Sequence, residues 1–394
     1  MPPRLIYMDH AATTPVHPSV VEAMLPYFGE YYGNPSSVHR QGRVALAALD
    51  DARRQIAGVL GCSPREVILT GGGSEADNLA IRGAALARRE QGGGNHIITS
   101  AVEHHAVLYT VEQLRDHFGF ETTILPVDAT GRVSPADVEA ALRPNTALVS
   151  LMLANNEIGT LQPIAEISRL VRSRGVLMHT DAVQGGGLLD INVERLGVDM
   201  LTLAAHKFYG PKGVGILYVR QGVPLLPTIT GGSQERNRRA GTENVAGAVG
   251  TATALTWAQA HREDHAASLA RLRDRLIEGV LASVPDTVLT GHPTERLPNL
   301  ASFAIDGLHG AEELLLGLDL AGICASSGSA CTSASLEPSY VLRACGLPPE
   351  LAIGSLRLSL GYENTEADVE HVLATLPPLV ERLRALARMM QGVA

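Results

Sequence analysis

Between about residues 67 and 219, short β-rich runs alternate with amphipathic stretches, and this alternation restricts the fold more than any other feature of the chain. The runs are Val67-Ile68-Leu69, His96-Ile97-Ile98-Thr99, Leu148-Val149-Ser150-Leu151, Val176-Leu177-Met178-His179, Met200-Leu201-Thr202-Leu203 and Ile216-Leu217-Tyr218-Val219. Strands separated by helical patterns predict a mostly parallel sheet covered on both faces. Ligands of such folds sit at the carboxyl ends of the strands. After about residue 250 the pattern changes to a long Ala- and Arg-rich helical stretch through roughly Ser283, short strands near 300–305 and 355–360, and a last helix from about Glu366. This reads as a second, smaller α+β domain, with a break near residue 260.

Of the 394 residues, 45% are hydrophobic and 19% charged, as in an ordinary globular chain. Acidic residues outnumber basic ones by 41 to 32, a formal charge of −9. That balance argues against a nucleic-acid or anionic-membrane surface and favours small polar or zwitterionic partners. Cys62, Cys324, Cys331 and Cys345 form no C-x-x-C pair and no metal-ligand spacing, so a reducing compartment fits best and no structural zinc is expected. The start, Met1-Pro2-Pro3-Arg4-Leu5-Ile6-Tyr7, lacks the apolar stretch of a signal peptide. No run approaches the roughly 18 apolar residues needed to span a bilayer. A soluble, cytoplasmic protein is expected.

The basic residues divide into 30 arginines and two lysines, Lys207 and Lys212, both within His206-Lys207-Phe208-Tyr209-Gly210-Pro211-Lys212-Gly213. A guanidinium is permanently protonated, whereas a lysine amine can lose its proton and attack a carbonyl. Upstream, Thr70-Gly71-Gly72-Gly73-Ser74-Glu75-Ala76-Asp77-Asn78 follows one apolar run and precedes a helical pattern. Its glycines let the backbone approach a ligand, and the helix start offers free N–H groups and a positive dipole end. Alone, the segment reads either as a phosphate cradle or as a Gly-rich turn capped by Ser74. Asp181, in His179-Thr180-Asp181-Ala182-Val183-Gln184, ends another run; there it either meets a cation or caps the next helix. Lys207 follows the next strand, so both side chains emerge at one edge of the sheet. An aldehyde joined to Lys207, its pyridine nitrogen kept protonated by Asp181 and its phosphate in the glycine loop, satisfies all three signals and describes pyridoxal 5′-phosphate.

Four further motifs accompany these: Glu103-His104-His105, Asn155-Asn156-Glu157-Ile158-Gly159, Arg239-Ala240-Gly241-Thr242-Glu243-Asn244 and Ser326-Ser327-Gly328-Ser329-Ala330-Cys331-Thr332-Ser333. Together with the segments around Asp181 and Lys207 they closely resemble the NifS/IscS-type cysteine desulfurases of the class V aminotransferase superfamily. The resemblance covers nearly the whole chain, from Asp9-His10-Ala11-Ala12-Thr13-Thr14-Pro15 to Leu356-Arg357-Leu358-Ser359-Leu360-Gly361. It implies an α/β fold, that of the fold-type I PLP-dependent transferases. A mostly parallel seven-stranded sheet would lie in a large PLP-binding domain of residues 16–259. Residues 1–15 and 260–394 would form the small domain that carries the catalytic cysteine loop.

The resemblance also implies roles. Lys207 is the lysine that joins the cofactor, Asp181 the partner of its ring nitrogen, and Gln184 a donor to its phenolic oxygen. His104 stacks over the ring and can move protons. Ser74, the Gly73 backbone and His206 contact the phosphate, and Thr242 reaches the phosphate of a neighbouring subunit, which implies a homodimer. Ala204 stands where many relatives carry serine, which removes one hydroxyl from that phosphate site. Asn156 and Arg357 hold the carboxylate of the substrate, L-cysteine, by a bidentate grip in the case of the guanidinium.

Cys331 is the implied nucleophile: it takes sulfur from L-cysteine, leaves L-alanine, and passes the persulfide sulfur to an iron–sulfur scaffold protein or to tRNA thiolation proteins. Residues 325–335 are nearly all Ser, Ala, Gly and Thr, bury little apolar surface, and are expected to form a mobile loop. The stretch from Ser329 to Leu342 resembles the longer-loop group that hands sulfur to partners. An unperturbed thiol, with pKa ~8.5, is little ionised at neutral pH, and His104 is the nearest helper for its deprotonation. Cys324 and Cys345 read as small buried hydrophobes and Cys62 as a turn residue. Another class V enzyme, such as an aminotransferase or selenocysteine lyase, would keep Lys207 and Asp181 without needing Cys331. A non-catalytic sulfur-relay subunit would bind partners without turnover.

Overall fold

Apolar runs with little polar interruption are the mark of strands buried on both faces, and the structure builds them that way. A computed structural model describes residues 5–328 and 338–391. A short strand β1 (Ile6–Tyr7) precedes the central sheet of β2 (Val67–Thr70), β3 (His96–Ser100), β4 (Glu121–Leu125), β5 (Thr146–Ser150), β6 (Leu177–Asp181), β7 (Met200–Ala204) and β8 (Gly215–Val219). Their spatial order is β2-β8-β7-β6-β5-β3-β4. Only β8 runs against its neighbours, β2 and β7; the other adjacent pairs are parallel.

Alternation along the strands sorts their side chains into two layers. Leu69, Ile98, Val149, Met178, Leu201 and Ile216 enter one, closed by the helices Arg40–Leu60, Ile164–Ser173 and Val245–Ala260. Ile68, Ile97, Leu148, Met200 and Leu217 enter the other, closed by Gly73–Glu90 and His105–Phe118. Each fully buried aliphatic side chain is worth about 1.5–3 kcal/mol, which makes these layers the main support of the sheet. The sequence runs missed β4. It is an edge strand paired only with β3, its Glu121 and Ile124 are exposed, and only Leu125 is buried, so it carries no continuous apolar run.

The later part of the chain forms an antiparallel sheet of β9 (Thr287–Leu289), β10 (Leu300–Ile305) and β12 (Ser355–Ser359), in the order β12-β10-β9; the two-residue β11 (Ile323–Cys324) comes between β10 and β12 in the chain but lies outside that sheet. Helices Arg262–Ser283, Ala311–Leu320 and Glu366–Gln391 pack a separate apolar core with it, including Leu276, Phe303, Leu314, Leu356 and Val372. Ile6 and Met8 join that core from the start of the chain, because β1 pairs in parallel with β11. The expected long helical stretch is two helices broken at His261.

The cysteines differ in part from expectation. Cys345 is buried, and burial pushes its thiol up to about 12. Cys324 is only half-buried, because β11 is two residues long and lies at an edge. Cys62 follows the helix end at Gly61 and packs half-buried against the first core layer.

Candidate active site

Five of the central strands, β2, β3, β5, β6 and β7, end on the same side of the sheet, and the loops that follow them surround a cavity of about 380 Å³. After β2, Gly72 adopts φ +157°, a conformation L side chains rarely reach, and the 18-residue helix Gly73–Glu90 begins with no side-chain cap. Its first N–H groups lack intrahelical partners and carry the positive end of the helix dipole. Gly73 and Ser74 line the cavity there. Ser74 is inside the helix, so the reading of Ser74 as a cap is not what forms. A Cβ on Gly215 would lie 2.4 Å from the Gly72 carbonyl, so β8 must be glycine where it supports this loop.

Beside the glycine loop, β7 ends in a short 3-10 turn, Ala205–Lys207, that brings His206 and Lys207 to the cavity. Lys207 Nζ donates to the carbonyls of Ala11 (2.5 Å) and Ala12 (2.8 Å). Gln184 Nε2 donates to the same Ala11 carbonyl at 3.1 Å. Thr14 donates through both its N–H and its hydroxyl to the His206 carbonyl, which fastens this N-terminal segment to the lysine turn. Burial, with the charges of Lys207 and Lys212, lowers His206 to about 4, so its ring is neutral at pH 7.

Asp181 ends β6 in the cavity wall, and its Oδ1 accepts the Val183 N–H at 2.9 Å. Both readings of Asp181 therefore have a counterpart: it closes a local turn and also faces the cavity. Burial raises its pKa, while His104, the Val183 N–H and Lys207 oppose that rise. Behind it Asp77 is fully buried and pushed well above the ordinary range by desolvation and by the Asp181 charge. Asp77 is accordingly the member of the pair that keeps the proton, and Asp181 the anion. His104 caps the helix His105–Phe118: its Nδ1 accepts the Ala106 N–H at 3.1 Å, which leaves Nε2 as the protonated nitrogen of the neutral ring.

Arg357, from β12, is 2% exposed. Its Nη2 meets Asp9 Oδ1 at 3.0 Å and its Nη1 donates to the Asn156 carbonyl at 2.9 Å, while Nε has no hydrogen-bond partner among the described residues. The guanidinium is thus buried at the cavity wall and paired with a partly exposed Asp9. Gly328 lines the same wall.

His179, two residues before Asp181 on β6, is fully buried between Ser150 Oγ (2.8 Å) and Thr202 Oγ1 (3.0 Å), and desolvation lowers it to about 3. The unfolded chain thus takes a proton near pH 6.5 that the folded chain refuses until about pH 3. Its contribution is present above pH 6.5 and lost as pH falls through that window, on the order of a few kcal/mol. Urea unfolding measured from pH 7 to pH 4 is expected to show a shallower loss of stability in His179→Gln than in the parent; equal slopes would refute the assignment.

Nine of the expected site residues thus line one cavity: Gly73, Ser74, His104, Asn156, Asp181, Gln184, His206, Lys207 and Arg357. Thr242 is exposed and does not line it, and Cys331 lies outside the described residues. Sequence reasoning missed the Ala11 and Ala12 carbonyls, Asp9, Asp77 and Glu157. Asp77 and Glu157 sat within quoted motifs, where a carboxylate inside a small-residue or apolar context was the available signal.

An uncapped helix N-terminus with a hydroxyl, a buried carboxylate at a strand end and a lysine amine between them fit the phosphate, ring nitrogen and aldehyde of pyridoxal 5′-phosphate, and define a fold-type I PLP-dependent enzyme. The class-V aminotransferase family model matches residues 6–372, and the chain belongs to that family. Over 384 residues the chain is 51% identical to the cysteine desulfurase IscS of Methanosarcina thermophila, an alignment covering 98% of this chain and 94% of that one. Among solved structures, a NifS-like protein aligns with a TM-score of 0.89 at 36% identity, over 96% of this chain and 100% of the other. SspA, solved in complex with cysteine, aligns with a TM-score of 0.79 at 36% identity, over 91% and 100%.

Proposed function

We propose that the chain is a PLP-dependent cysteine desulfurase that moves sulfur from L-cysteine to Cys331 and releases L-alanine. The observation that carries this reading within its family is the place of Gly328 in the cavity wall beside Arg357. Cys331 follows three residues later, and a chain advances at most about 3.3–3.6 Å per residue, so its Cα can stand no more than about 11 Å from that of Gly328.

Bound pyridoxal 5′-phosphate would supply the electron sink. Ser74, the Gly73 N–H and neutral His206 would hold its phosphate, Asp181 its ring nitrogen and Gln184 its phenolic oxygen. Arg357 and Asn156 would hold the substrate carboxylate. Lys207 Nζ, already held between two carbonyls, would carry the cofactor and then move the proton at the substrate Cα. His104 would present its Nε2–H as a hydrogen-bond donor that stabilises the Cys331 thiolate. The Cys331 thiolate then bonds to the substrate sulfur as its C–S bond breaks, and the electron pair left on carbon ends as a C–H bond of alanine. The persulfide sulfur would pass to an iron–sulfur scaffold protein or a tRNA thiolation protein.

The same reading includes a homodimer. Phe28, Tyr32 and Val38, within eleven residues of one another, are 67%, 71% and 89% exposed and would be covered by the partner subunit. Thr242, exposed and away from its own cavity, suits contact with a partner's phosphate site. Separate apolar cores support the division into residues 16–259 and residues 1–15 with 260–394. No helix among the described residues is long and apolar enough to cross a membrane, in keeping with the proposed cytoplasmic location.

Cys331→Ser tests the function. Loss of a nucleophile costs on the order of 10³-fold or more, so alanine release from L-cysteine is expected to vanish while the cofactor stays bound. Undiminished turnover would assign the chain to another class V reaction, and absence of turnover in the parent protein would favour a non-catalytic relay.

A further inference from the structure

Glu157 is a buried carboxylate that the proposed chemistry leaves unused. Its Oε2 accepts the Ser339 hydroxyl at 2.5 Å, and Ser339 in turn caps the helix Tyr340–Ala344 by accepting the Leu342 N–H at 3.2 Å. The same Oε2 lies only 2.8 Å from where a Cβ on Gly328 would stand, and Ser339 Cβ lies 3.2 Å from that point. Gly328 and Ser339 are therefore side by side against one carboxylate, although eleven positions apart in sequence (339 − 328). The entering limb is held besides by β12: the Gly328 N–H donates to Ser355 Oγ at 3.2 Å, and Ser326 exchanges backbone hydrogen bonds with Arg357. On the leaving limb, the Tyr340 hydroxyl donates to the Glu103 carbonyl at 2.5 Å.

We propose that Glu157 is a positioning residue for sulfur transfer: as an anion it ties Ser339 beside Gly328, next to Arg357, and so sets the span from which Cys331 must act. The inference rests on the desulfurase reading. A 2.5 Å O–H···O contact belongs to the charge-assisted class, which is stronger than its neutral counterpart. Among the described residues, the charged or titratable groups around Glu157 are Arg357 from β12, His104 at the start of the helix His105–Phe118, and Cys345 after the helix Tyr340–Ala344. Asp9 shares Arg357 from the far side. Burial raises Glu157 to about 7, against Ser339, Arg357 and His104, which favour its charge. The tie is thus weak below about pH 6 and strong above about pH 8.

Hydrogen exchange at the Leu342 amide, corrected for intrinsic rates, tests this without turnover. Protection in the parent protein is expected to rise between pH 6 and pH 8, and to be flat in Glu157→Gln and Ser339→Ala. In the holoenzyme, kcat for alanine release from Glu157→Gln should fall about five- to tenfold at pH 8 with KM for L-cysteine unchanged, and the deficit should close towards pH 6. If Glu157→Gln does not fold, Ser339→Ala carries both measurements. Protection with no pH step in the parent, a step that survives in the variants, or a deficit expressed in KM overturns the proposal. Alanine release by the parent alongside such exchange data would leave the desulfurase reading standing, whereas no alanine from the parent at any pH would fell that reading itself.

Discussion

Lys207→Ala is expected to leave a folded protein that forms no alanine and, purified free of excess pyridoxal 5′-phosphate, shows no visible lysine imine band. The fold should survive because the carbonyls of Ala11 and Ala12 that accept from Nζ face the cavity, and because its turn is held independently by Thr14 on the His206 carbonyl. The rate should not, because the only other lysine, Lys212, does not line the cavity and no arginine can release a proton near neutral pH. Proton transfer by a positioned amine alone is worth ~10²–10⁴-fold, and loss of the cofactor linkage adds to it. Absorbance spectra and alanine release on the purified variant are the measurements. A retained visible band would remove Lys207 from its proposed role.

Arg357→Ala is expected to damage stability and substrate binding together. The guanidinium is buried between Asp9 and the Asn156 carbonyl, so truncation strands both and leaves a cavity. Breaking one side of a buried pair costs about 3–5 kcal/mol. Arg357→Lys separates the two effects. It keeps a cation beside Asp9 but not the planar fork that can hold a carboxylate with two parallel hydrogen bonds. Denaturant unfolding should show most of the stability restored in the lysine variant, while KM for L-cysteine stays raised by about tenfold or more, the equivalent of one lost charge-assisted hydrogen bond. Normal KM in Arg357→Lys would mean that Arg357 only braces Asp9.

Much of the site was legible in the chain because its chemistry is local. Two lysines among 32 basic residues single out Lys207, a carboxylate after an apolar run singles out Asp181, and a triple glycine before a helical pattern marks a close backbone approach. What escaped detection depends on long-range contacts. The carbonyls that hold Lys207 belong to Ala11 and Ala12, whose side chains carry no signal. Asp9 reaches Arg357 across 348 positions and Glu157 reaches Ser339 across 182. The edge strand β4 escaped because one neighbour and little burial demand no apolar run.

The amino-acid order by itself determined six of the seven strands of the sheet, since strands buried on both faces are mostly apolar, and it determined which reactive groups stand at strand ends, since those positions follow the runs. Charge states were decided only by the tertiary structure. Whether Asp77 or Asp181 keeps the proton, whether His206 and His179 are neutral, and whether Arg357 is a surface or a buried cation all depend on how much water and which distant charges surround each group. Desolvation acts through the assembled neighbourhood, and no stretch of sequence contains it.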